Sequence, residues 1–105
     1  MNTYESHVTV NPPASENERK TLEEFAINHQ FRLSRLFMQK DMPSTEDAFM
    51  TGHGTCYEDI ILRTAALVSE MRDSGYVVRR YKIEQTLVDS KVCDSMRLLN
   101  DPIRG

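Results

Sequence analysis

The chain has no apolar run approaching the ~20 residues that a helix needs to cross a bilayer, so no helical membrane span is expected. Its first residues, Met1-Asn2-Thr3-Tyr4-Glu5, lack the basic stretch followed by an apolar one that marks a secretory leader, and a cytoplasmic location is the expectation. Cysteine is scarce. Cys56 and Cys93 allow one disulfide at most, and without a secretion signal both are expected as reduced thiols. No C-x-x-C or H-x-x-x-H spacing occurs, so no metal or other cofactor is expected; a metal reading built on His7, His53, Cys56 and Glu84 has no local spacing behind it. Positive charge is not in excess. A formal net charge of -3 argues against general nucleic-acid binding through phosphates and leaves room only for a local basic patch. Internal repeats and low-complexity segments are also missing.

What remains is an ordinary globular composition, 39% apolar and 28% charged, on a chain of 105 residues, enough for one hydrophobic core. The strongest local signal runs from Tyr57 to Ser90. Ile60, Ile61, Thr64, Leu67, Val68 and Met71 recur at helical spacing and predict a buried stripe. Thr55 and Glu58 have the T-x-x-E form of a capping box at its start, and Gly75 has the position of the left-handed residue after its last turn. A long strand is expected from Tyr76 to about Val88. Val78, Arg80, Lys82 and Glu84 would share one face, and charge on both faces suits an edge strand.

The first half repeats this order more weakly. Residues 4–10 alternate as a strand, with Val8 and Val10 on one side and His7 and Thr9 on the other, and Asn11-Pro12-Pro13 ends it. Ser15 and Glu18 form an S-x-x-E capping box, so a helix should begin near Glu16, with Leu22, Phe25, Ala26 and His29 on one face. A second strand is expected from about Arg32 to Gln39, in preference to an extended helix. A loop over 41–46 and a third strand from Ala48 to His53 follow, where Gly52 and Gly54 signal close backbone approach or a bend. A short terminal helix over Val92 to Leu99 and a loose tail over 101–105 complete the chain, leaving residues 1–100 as one domain.

Strand, helix, strand, strand, helix, strand is the order of an α+β, two-layer, ferredoxin-like (βαββαβ) domain with a four-stranded antiparallel sheet. Right-handed crossovers place the third strand between the first and second, and the first between the third and fourth. Both helices then cover one face, and His7 and Thr9 belong to the open one.

Two segments have the form His-x-Thr: His7-Val8-Thr9 and His53-Gly54-Thr55. In the expected fold they lie on the two central strands, with Arg80, Lys82 and Glu84 on the strand beside them. In this the sequence resembles the two-histidine phosphoesterase superfamily, which carries two H-x-[ST] motifs on paired central strands. The resemblance implies metal-free cleavage of a phosphodiester, with His7 and His53 as general base and acid and with Thr9 and Thr55 holding phosphate oxygens. Arg80 and Lys82 would stabilise developing negative charge. Each residue also has a plainer reading: Thr55 as a helix cap, His53 as a strand end, and Arg80, Lys82 and Glu84 as edge-strand solubility.

The favoured expectation is therefore a non-catalytic interaction or ligand-binding module, acting as a homodimer or with another protein partner. The alternative is a metal-independent phosphodiesterase-like enzyme, or a sensor of a small phosphate or other anionic ligand, using His7 and His53.

Overall fold

The computed structural model describes residues 2–34 and 47–87. Within them six elements follow in order: β1 (Asn2–Val10), α1 (Glu16–Asn28), β2 (Phe31–Leu33), β3 (Ala48–Gly54), α2 (Tyr57–Asp73) and β4 (Val78–Leu87). The fold is α+β, with two helices and a four-stranded antiparallel sheet in the order β2-β3-β1-β4.

Alternation decides which side of the sheet the helices cover. Ser6, Val8 and Val10 of β1 are buried, as are Ala48, Met50 and Gly52 of β3. These meet Leu22 and Ala26 from α1 and Leu67, Val68 and Met71 from α2 in one core. Each fully buried Leu or Met contributes about 1.5–3 kcal/mol relative to exposure. Among the described residues one polar pair, Ser6 and Thr64, reaches this core. The Thr64 hydroxyl donates to the Ile60 carbonyl at 2.7 Å, so its contact of 2.6 Å with Ser6 Oγ is one in which Ser6 donates. That buried bond ties α2 to β1.

The helix ends follow local chemistry. Ser15 is the N-cap of α1 and accepts from the Glu18 N–H at 3.2 Å. Glu18 reaches back to the Ala14 N–H at 2.7 Å, one residue before the cap. Gly75 follows α2 with φ +92°, the left-handed conformation expected there. Gln30 plays the same part after α1 with φ 63° and has no glycine's freedom.

Several expectations are corrected. The cap of α2 is Cys56, with no side-chain cap bond, and Thr55 is exposed. The helix starts one residue too late for the Thr55 hydroxyl to reach the third helical N–H, so the T-x-x-E pattern does not act as a capping box. The fourth strand begins at Val78, not Tyr76. A bulge lies in it as well: Val10 pairs with Val78 but Thr9 pairs with Arg80, so one extra residue falls between them. Val78 is thereby buried on the helix side, separated from the face that Arg80, Lys82 and Glu84 share. Of the second strand, Phe31–Leu33 is observed and residues 35–46 lie outside the described ones. The terminal helix expected over Val92 to Leu99 and the tail over 101–105 also lie outside them. Ile61 is only half-buried, at the rim of α2 facing β4 rather than in its core stripe.

Candidate functional site

The sheet face turned away from the two helices is polar at its centre, with Thr9 buried on it. β1 contributes Glu5, His7 and Thr9, and pairing on both sides fixes what stands next to each. His7 is opposite Thr51 of β3 and Lys82 of β4, Glu5 is opposite His53 and Glu84, and Thr9 is opposite Phe49 and Arg80. Arg32 of β2 continues the row through Thr51.

A chain of polar contacts follows from this register. His53 Nε2 lies 2.9 Å from Glu5 Oε2. The other Glu5 oxygen lies 3.2 Å from His7 Nε2. The same imidazole nitrogen is 3.2 Å from Glu84 Oε1, and Glu84 Oε2 is 3.3 Å from Lys82 Nζ. His7 Nδ1 stands 3.5 Å from Thr51 Oγ1. The nearest donor atoms of Glu5, His7 and Glu84 all lie within 4.8 Å of one another. Hydrogen bonding and positive charge from His53, followed by those from His7, hold the Glu5 carboxyl below its ordinary value, against a smaller opposing effect of burial.

His7, His53, Lys82 and Glu84, four of the residues singled out from the sequence, thus converge on the open face. The two imidazoles are diagonal across β1 and β3 rather than directly opposed, and each is hydrogen-bonded to a different oxygen of Glu5. Thr9 and Arg80 share the face one step further along, beside Phe49. Thr55 does not join them: it is exposed in the turn between β3 and α2. The residue that sequence reading missed is Glu5. Its signal was present, since Glu5 and His7 are two apart on one strand and must share a face. Its role depends on the pairing partners, which the sequence leaves open.

Arg63 was missed too. From α2 its guanidinium donates to three carbonyls: His29 at 3.3 Å, Gln30 at 2.7 Å and His53 at 2.8 Å. It also stacks 5.5 Å from the centre of the Phe31 ring. One side chain therefore satisfies the end of α1 and anchors the backbone that carries His53. His29, the third histidine, is half-buried and bonds Glu70 of α2 at 2.7 Å, a helix-to-helix link away from the open face.

Among the depressions on the surface, two bear on the site. One of about 600 Å³ lies beside His53, bordered by Glu5, Gln30, Arg32, Ser34 and Thr51. The other, of about 500 Å³, is mainly apolar and runs between α2 and β4 on the helix side, past Ile61, Val68, Tyr81 and Ile83. Of these two, the first reaches His53.

No protein-family model and no curated protein matches the chain. Among solved structures it is similar to a chain described as "De novo designed protein Foldit4", at 9% identity and a TM-score of 0.48, covering 84% of this chain and 98% of that one.

Proposed function

We propose that this chain is a non-catalytic, ferredoxin-like binding module whose recognition surface is the open sheet face and whose ligand or partner presents a positively charged group there. The strand order β2-β3-β1-β4, with both helices packed into one core, supports the fold part of this reading. The observation that carries the functional part is Glu5, which stands between the two imidazoles with Glu84 directly opposite. Like charges opposed across strands repel, and a cation placed between them is attracted to both. A phosphoryl group in the same place would meet two carboxylates of its own sign.

The reading is checked by amide NMR. Adding trilysine should move the resonances of Glu5, His7, His53 and Glu84, while inorganic phosphate at equal ionic strength leaves them in place. Shifts confined to phosphate would overturn it.

The phosphodiesterase reading is supported by one observation, the convergence of His7 and His53 on the same face with Lys82 beside them. Incubation with cyclic nucleotide phosphodiesters, followed by phosphorus NMR, is expected to give no turnover. Turnover that disappears in the His7→Ala, His53→Ala double variant would put the enzymatic reading in place of the binding one.

A further inference from the structure

The contacts around His7 Nε2 are unbalanced. A single imidazole nitrogen carries one N–H at most, yet two carboxylate oxygens approach this one at 3.2 Å each. The pairing of β1 with β4 puts Glu5 and Glu84 directly opposite each other, so the two carboxylates meet over His7 because of the sheet register and not through side-chain reach alone. Lys82 takes up one oxygen of Glu84, and the oxygen facing His7 remains. His7 Nε2 therefore has one proton at most to share between two carboxylate oxygens.

We propose that Glu5, His7 and Glu84 form a binding site for a divalent first-row transition-metal ion, with His53 positioned at its edge. This rests on the reading of the open face as a surface for cationic groups, and it names the cation. When ligand bonds are about 2.0–2.1 Å long, two ligand atoms of a tetrahedral ion stand about 3.3 Å apart. The two separations of 3.2 Å from His7 Nε2 match that edge, and the carboxylate oxygens of Glu5 and Glu84 lie within 4.8 Å of each other, so a metal replacing the shared proton needs at most a closing of that third edge. Binding moves the imidazole proton to Nδ1, where Thr51 Oγ1 at 3.5 Å is placed to accept it. One imidazole and two carboxylates form a mixed donor set that suits Zn²⁺ or Mn²⁺ and lacks the thiolates that select softer ions. His53 Nε2 already bonds the outer oxygen of Glu5 and orients that carboxylate from behind. No sequence spacing announces this set, because its ligands come from the first and last strands of the sheet.

The test is calorimetric titration of chelator-treated protein with zinc chloride, in a Cys56→Ser, Cys93→Ser background that removes thiol binding. One zinc per chain is expected, with affinity at least tenfold weaker in His7→Ala and in Glu84→Gln. The unfolding midpoint should rise with zinc in the parent and not in either variant, as ligand binding to the folded state requires. Glu84 is exposed on an edge strand, so Glu84→Gln remains informative should His7→Ala fold poorly. Cobalt in place of zinc should give the intense visible absorption of a tetrahedral ion. Absence of binding, or affinity unchanged in Glu84→Gln, would overturn the proposal. If trilysine still moves the open-face amides while zinc does not bind, the metal inference fails alone. If neither ion nor peptide acts there, the binding reading falls with it.

Discussion

Glu5 holds the open face together, because it is the one carboxylate that both imidazoles reach. Its depressed pKa has a consequence for stability. A carboxyl held below its ordinary value of 4.5 in the folded state contributes stability that is complete above that value and is lost as pH falls through the folded pKa. Glu5→Gln keeps the shape and removes the titration. Thermal unfolding midpoints measured from neutral pH to well below 4.5 should therefore fall less steeply in Glu5→Gln than in the parent. An equal slope would mean that the carboxylate–imidazole contacts contribute nothing to folding. Gly52 is a second decisive residue, for a steric reason. A Cβ there would stand 2.9 Å from the Phe31 ring, which has the Arg63 guanidinium stacked 5.5 Å from its centre. Gly52→Ala should lower stability by about 1–3 kcal/mol in denaturant unfolding, the usual cost of overpacking.

Of the two helices, α2 makes the larger set of tertiary commitments. Its apolar stripe enters the core, Thr64 meets Ser6, and Arg63 reaches two carbonyls in the turn between α1 and β2 and one on β3. The Ser6–Thr64 bond lies where water does not reach, so loss of one partner leaves the other unsatisfied. Thr64→Val and Ser6→Ala should each cost about 1–3 kcal/mol, and the double variant less than the sum. Additive costs in that cycle would show that the pair does not act as a unit. The stripe itself was legible from helical spacing, because Ile60, Thr64, Leu67, Val68 and Met71 repeat with the period of the helix. The cap was not, because Thr55-x-x-Glu58 carries the right letters one residue before the helix begins. Strand β4 repeats the lesson. Its charges were readable, but the residues facing the site were not, since one bulge between Thr9 and Val10 moves Val78 to the opposite side from Arg80.

For the whole molecule, the open question was what covers the second sheet face. A two-layer domain leaves one face bare, and such a face is either polar or covered. Here the central rows are Arg32, Thr51, His7 and Lys82, then His53, Glu5 and Glu84; Phe49 is the large exposed apolar side chain beside them. A polar face of this kind is stable in water, so burial of this face does not demand the homodimer expected from the sequence. Light scattering across micromolar concentrations should report a mass near the 12.1 kDa of one chain. Twice that mass would place a second copy on the molecule, and its dependence on Phe49→Ser would tell whether the open face is where it sits.

Sequence alone determined what depends on neighbours along the chain. Strand alternation put His7 and Thr9 on one side and Val8 and Val10 on the other. Helical spacing chose the buried stripe of α2, Ser15 and Glu18 marked the start of α1, and Gly75 marked the end of α2. Tertiary structure decided the rest. That Glu5 faces His53 on one side and Glu84 on the other, that Arg63 collects the carbonyls of His29, Gln30 and His53, and that Thr55 stays outside the site are all matters of register between distant segments. Register is set by the summed packing of both sheet faces and by a single bulge, and a slip of one residue would exchange every side chain between them. No local pattern encodes that sum, so the two histidines were visible in the sequence and the carboxylate between them was not.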